Sequence, residues 1–142
     1  MKNTMKVEFD SISANEAFAR VTVAAFMAQL NPSVEEVADV KTAVSEAVTN
    51  AIIHGYAGEV HKITICGEME DNLLTLRIED QGVGIPDIEK AMEPMYTTKP
   101  ELERSGMGFL FMEAFMDEVQ VESQAGAGTT VTMKKKIGQR GD

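Results

Sequence analysis

One helix constrains the fold more than any other segment. Ser33-Val34-Glu35-Glu36 has the spacing of a capping box, and it opens a long helix that runs to His54. Gly55 stands where a left-handed C-terminal cap would fall. The last turns read "EAVTNAIIH", in which Ala47, Val48, Ala51, Ile52 and Ile53 are apolar. Such a helix has to be covered by other elements. Yet Glu46, Asn50 and His54 stand four apart within it. On a helix that spacing keeps side chains on one face, each about 40° further round than the last. A polar stripe of carboxylate, amide and imidazole therefore runs along an otherwise apolar helix.

The rest of the chain supplies the cover. "MKVEFD" alternates apolar and polar residues and reads as a strand. Ser13-Ala14-Asn15-Glu16 has capping-box spacing and opens a helix to about Leu30, where Asn31-Pro32 breaks it. After the long helix come the strands "HKITICGEM" and "LLTLRIED", with Asp71-Asn72 as their turn. Gln81 to Gly108 then holds four of the eleven glycines and three of the four prolines. It reads as a functional loop enclosing a short helix from Asp87 to about Met92. "FLFMEAFM" reads as a helix, and the strands "DEVQVES" and "TTVTMKKK" follow, joined by "QAGAG". The expected fold class is α+β, a two-layer α/β sandwich with a mixed, mostly antiparallel sheet and helices on one face.

The 142 residues fit a single domain over 1–142, and 44% hydrophobic with 25% charged residues is globular in character. Cys66 is the one cysteine, so no internal disulfide forms; a half-buried strand position suits it. No apolar run is long enough for a membrane span, and the start lacks the apolar centre of a signal peptide. A soluble cytoplasmic protein is expected, with no membrane association. The net charge of −10 argues against direct nucleic-acid binding, which needs a basic face. The basic run Lys134–Lys136 reads as a solvated strand end.

Three stretches could carry chemistry. Asp80-Gln81-Gly82-Val83-Gly84 directly follows a strand. Its glycines allow a sharp turn or a close approach, and the same pattern is also an ordinary turn with a structural aspartate. Ser105-Gly106-Met107-Gly108-Phe109 opens a helix whose N–H groups could face an anion. Thr97, Thr98, Lys99 and Arg104 lie just upstream and could add hydroxyl and charged contacts; a Gly-rich helix entry beside surface cations is the plainer reading. In the polar stripe, Asn50 offers a hard oxygen ligand for Mg²⁺ and Glu46 a proton acceptor, or else the stripe is a seam of hydrogen bonds to a neighbouring loop. His54 reads as a helix-end histidine.

These stretches occur in a recognisable order. "EAVTNAIIH" resembles the N box of the GHKL (histidine-kinase-like) ATPases, "DQGVGI" their first glycine box and "SGMGF" their second. "GTT" at Gly128–Thr130 is similar to their late Gly-Thr element. "VSEAVTNAIIHGY" and "TTKPELERSGMGF" narrow the resemblance to small serine protein kinases that act as anti-sigma factors in spore-forming bacilli. The resemblance implies the Bergerat-type ATP-binding fold and a site for ATP and Mg²⁺. It implies that Asp80 accepts a hydrogen bond from the adenine amino group and that Gly82 and Gly84 let the loop close over the base. Asn50 would hold Mg²⁺, and Gly106, Met107 and Gly108 would give N–H groups to the phosphates. Thr130 would help a water beside the adenine, and Glu46 would be the base. His54, Thr97, Thr98, Lys99, Ser105 and Phe109 fall within the matching boxes and count with the nucleotide site, and Arg104 with the γ-phosphate.

A histidine kinase needs a phosphorylatable histidine on a preceding dimerisation helix, and only His54 and His61 are present. A clamp ATPase needs a transducer domain for which no chain remains. What is left is a domain whose phosphate acceptor or binding target is another protein, and the resemblance implies that the acceptor is a serine. Resemblance points to a homodimer that sequesters a sigma factor of RNA polymerase and phosphorylates an anti-anti-sigma antagonist. A nucleotide-gated binding module with little transferase activity stays open beside that reading. Arg20, the only cation between Val7 and Val40, is either a solvated outer-face residue or a partner contact.

Overall fold

The computed structural model describes residues 2–56, 59–82, 108–124 and 126–138. Strand β1 (Lys2–Asp10) leads into helix α1 (Ala14–Met27) and a short 3₁₀ turn (Ala28–Leu30). Helix α2 (Val34–Asn50) continues into a single π-helical turn, Ala51–Gly55. Strands β2 (Lys62–Glu70) and β3 (Leu73–Asp80) form the first hairpin. Helix α3 (Gly108–Phe115) precedes strands β4 (Glu118–Gln124) and β5 (Gly128–Lys136). The sheet order is β1-β2-β3-β5-β4. Each of the four pairings is antiparallel, so the expected mixed sheet is an antiparallel one among the described residues.

Alternation along the strands makes the two layers. Ile63 and Ile65 of β2, Leu74, Leu76 and Ile78 of β3, and Val131 and Met133 of β5 are all buried in one core. Each is two residues from the next on its strand, so all point to the face the helices cover. Val40, Ala43, Val44, Ala47 and Val48 of α2 meet them. The small alanines let α2 approach closely, and it lies between α1 and α3. Burial of a full Ile or Leu side chain contributes roughly 1.5–3 kcal/mol, so these rows dominate the stability.

The second capping box is present. The Glu36 N–H donates to Ser33 Oγ (3.0 Å), and the Ser33 N–H donates to Glu36 Oε1 (2.8 Å). The first is not. Ser13 has helical backbone angles and makes no side-chain cap bond. The Asn15 side chain instead donates to the Asp10 carbonyl (2.9 Å), and the Glu16 carboxylate turns to Arg20, one helical turn on. Asn31 closes the α1 region in the left-handed conformation (φ 52°), and Asp71 opens the β2–β3 turn with φ 55°. The Lys134–Lys136 run is more than a solvated end: Lys135 Nζ donates to the Phe115 carbonyl (2.7 Å), capping the C-terminus of α3.

The long helix does not end in a left-handed cap at Gly55. The Tyr56 N–H reaches back to the Ala51 carbonyl (3.0 Å), five residues away, and Tyr56 itself has φ −105°. This widened turn is a π-bulge, a device frequent at functional sites.

Candidate functional site

Asp80 ends the buried row of β3, in phase with Leu74, Leu76 and Ile78, and is only 5% exposed. A carboxylate in that position needs partners. Oδ1 accepts the Gly82 N–H (2.9 Å), an Asx turn, and the Thr129 N–H also donates to the carboxylate. An ionised carboxylate has about four acceptor sites, so capacity remains for a donor from outside. Burial pushes the Asp80 carboxyl above its ordinary value, against the two N–H bonds that lower it. A buried carboxylate whose pKa is raised in this way, beside a glycine turn, is a candidate functional position.

The turn that carries Asp80 is held from two sides. On one side lies Gly128 (φ +92°), at the start of β5. A side-chain carbon there would come within 2.1 Å of the Asp80 carbonyl oxygen and 2.8 Å of Gln81 Cα. Only glycine permits that approach. On the other side lies Tyr56, 5% exposed, whose hydroxyl accepts the Gln81 N–H (2.7 Å) and donates to the Lys62 carbonyl (2.5 Å). Its ring stacks at a tilt on His61, centroids 4.9 Å apart. Burial, followed by the nearby Asp80 charge, pushes the Tyr56 phenol up, against the Gln81 bond, so the hydroxyl keeps its proton at neutral pH.

The polar stripe of α2 divides. Glu46 is half-buried and lines a groove of about 810 Å³ between α1 and α2, shared with Glu16, Arg20, Lys41 and Thr49. Asn50 is half-buried. With about 40° of drift per four residues, Asn50 turns away from that groove towards the side holding Ala43, Ala47 and Ala51. The π turn, with half-buried His54 on it, packs against β3 and β5, the strands that carry Asp80 and Thr129. The π turn and the Asp80 turn therefore lie at one end of the sheet, while Glu46 faces the α1–α2 groove.

Thr130 does not join them. Thr129 faces Asp80 across the β3–β5 ladder and is 3% exposed, its hydroxyl 2.9 Å from that of Ser123. Thr130 is opposite Glu79 and Glu122, in the half-exposed set on the other face. The strand period of two decides this: Thr129 is in phase with buried Val131 and Met133. That alternation was the available signal. Tyr56 was missed as well, because nothing local marks its bond to a residue 25 positions away.

Arg20 is paired within α1: its Nε lies 3.2 Å from Glu16 Oε1, too poorly aligned for a hydrogen bond. It shares the groove with Glu46, so the structure brings these two expected site residues together. Gly82 is in place by its N–H bond. Gly108 and Phe109 form the first positions of α3. Gly84, Thr97, Thr98, Lys99, Arg104, Ser105, Gly106 and Met107 lie outside the described residues, as does the expected helix from Asp87 to Met92.

The model of the family described as "Histidine kinase-like ATPase domain" matches residues 11–135. The chain belongs to this family. Among curated relatives, a protein of Clostridium acetobutylicum is 58% identical over 96% of each chain. One of Geobacillus stearothermophilus is 60% identical over 95% of this chain and 93% of its own. Both are named anti-sigma F factor. The solved RsbU and RsbW domains of a Mycobacterium tuberculosis protein superpose with a TM-score of 0.68 at 19% identity, over 95% of this chain and 32% of that one. A histidine kinase domain from Erythrobacter litoralis gives 0.56 at 17% identity, over 87% and 61%. At such identities these likenesses show the fold alone. Among the described residues no helix is long and apolar enough to cross a membrane.

Proposed function

We propose that this chain is an anti-sigma factor and an ATP-dependent protein serine kinase. It binds and inhibits a sporulation sigma factor, and it phosphorylates a serine of an antagonist protein. The observation that carries this reading is the packing of the π turn, which follows directly on Asn50, against the strands that carry the buried carboxylate of Asp80. The names of the relatives, at 58–60% identity over nearly the whole chain, support the biological role.

The residues fit an adenine nucleotide with magnesium. Asp80 keeps acceptor capacity for the adenine amino group at the dry end of a sheet. Asn50 offers one neutral amide oxygen, and magnesium takes one or two protein ligands with phosphate oxygens and water completing its shell. When bound, the ion would neutralise charge on the phosphates. By the family's pattern Gly82 and Gly84 would let the chain come close to the base, and Gly106, Met107 and Gly108 would give N–H groups to the phosphates. Arg104 would act on the γ-phosphate, and Lys99, Thr97, Thr98 and Ser105 would count with the nucleotide site by the same resemblance. Beside Asp80, the structure favours Thr129 over Thr130.

In the reaction, the acceptor serine oxygen attacks the γ-phosphorus in line and the bond to the β-phosphate oxygen breaks. Glu46 takes the hydroxyl proton. Positioning does most of the catalytic work. Arg20, beside Glu46 on the groove, is the partner contact, and the protein acts as a homodimer in the cytoplasm.

Incubation with γ-labelled ATP and the purified antagonist tests the reading. Label on a serine of the antagonist, lost with Glu46→Gln, is the expected result. ATP binding without any labelled acceptor supports a nucleotide-gated binding module instead.

A further inference from the structure

Three elements converge on Tyr56. Its N–H closes the π turn on the Ala51 carbonyl (3.0 Å), directly after Asn50. Its hydroxyl donates to the Lys62 carbonyl at the start of β2. The same oxygen accepts the N–H of Gln81, the residue after Asp80 (2.7 Å). One buried side chain thus ties the end of α2 to the turn that presents Asp80. Gly128 closes the opposite side of that turn by backbone contact. The hydroxyl is bonded as donor and as acceptor, so a shift of the Gln81 turn breaks a bond on a buried side chain, where an unmade hydrogen bond is costly.

We propose that Tyr56 is a positioning residue for base selection: its hydroxyl holds the Asp80 carboxylate at the distance from α2 that an adenine amino group requires. The inference rests on the nucleotide reading above. It adds a residue that touches neither base nor phosphate and acts through the Gln81 backbone. Packing alone would be served by phenylalanine, which fills the same space without the oxygen.

Calorimetric titration with ATP and with purine riboside triphosphate, which lacks the 6-amino group, separates the possibilities. Wild type, Tyr56→Phe and Asp80→Asn are compared. Wild type is expected to prefer ATP. Tyr56→Phe is expected to lose about tenfold of that preference, the worth of one or two net hydrogen bonds, and to move towards Asp80→Asn. Its affinity for the analogue should stay close to that of wild type, which a merely structural defect would not spare. Hydrogen exchange at the Gln81 amide of the wild-type protein needs no substitution. That amide should be protected, and slowed further by ATP but not by the analogue. A Tyr56→Phe protein with the full wild-type preference, or an unprotected Gln81 amide, overturns the inference while leaving the nucleotide reading intact. Wild-type protein that binds neither compound overturns both.

Discussion

Gly128 and Asp80 are in backbone contact so close that no side chain fits between them: a first side-chain carbon on Gly128 would meet the Asp80 carbonyl oxygen at 2.1 Å. The start of the last strand is thereby pressed onto the turn that ends β3. Gly126, two residues earlier, shares the positive φ (+80°) but has nothing within 4 Å of a built side chain. The pair separates conformational strain from steric contact. Gly126→Ala should cost about 1–2 kcal/mol in urea unfolding, the strain of a left-handed alanine. Gly128→Ala should cost at least about 3 kcal/mol, because the Asp80 turn must also move. Equal costs would refute the close approach.

Asp80 is predicted to be a residue kept for function at the expense of stability. Burial raises its folded pKa above the unfolded value. The folded state therefore holds the proton more tightly, and the associated stability is present below the unfolded pKa and lost as pH rises through the folded one. At pH 7 the wild type buries a charge. Asp80→Asn should then be at least as stable as wild type at pH 7, with any advantage shrinking towards about pH 4. Its ATP affinity should fall about tenfold or more. Parallel urea titrations and calorimetry check both halves, and a variant markedly less stable at neutral pH would contradict the assignment.

The Glu36 carboxylate does two jobs. It accepts the Ser33 N–H at the start of α2 (2.8 Å) and the Gly138 N–H just beyond β5 (3.2 Å). Glu36→Ala is expected to cost about 1–2 kcal/mol, and Glu36→Gln to recover most of it, since an amide oxygen can still accept. Chemical denaturation of the two variants is the measurement.

Glu46 and Asn50, one turn apart on α2, should separate chemistry from binding. Glu46→Gln is expected to lower phosphoryl transfer by roughly 10²–10⁴-fold with ATP affinity near that of wild type. Asn50→Ala should remove the magnesium-dependent part of ATP affinity. Transfer rates and titrations with and without magnesium decide between these outcomes.

Much of this was legible in the chain. The Ser33–Glu36 box, the break at Asn31 and the turn at Asp71 are local chemistry, and they lie where spacing puts them. Asp80 was readable as the polar end of an alternating apolar strand, and it is buried there. The first capping box did not form: Ser13 takes helical backbone angles instead of the extended ones a cap needs, and Glu16 lies beside Arg20. Thr130 was expected beside Asp80 and lies on the other face, because a motif reports order along the chain while a strand sorts neighbours onto opposite faces. The π turn and the Tyr56 bonds are tertiary: they exist only once α2, β2 and β3 meet.

The central claim is one cleft, bounded by the end of α2 and the Asp80 turn, that holds a single magnesium-bound adenine nucleotide. A crystal structure with a non-hydrolysable ATP analogue and magnesium tests it most directly. The account predicts the adenine amino group within hydrogen-bond distance of the Asp80 carboxylate and the Asn50 amide oxygen in the metal's shell. A nucleotide bound elsewhere, with Asp80 still bonded only to the Gly82 and Thr129 N–H groups, would contradict it.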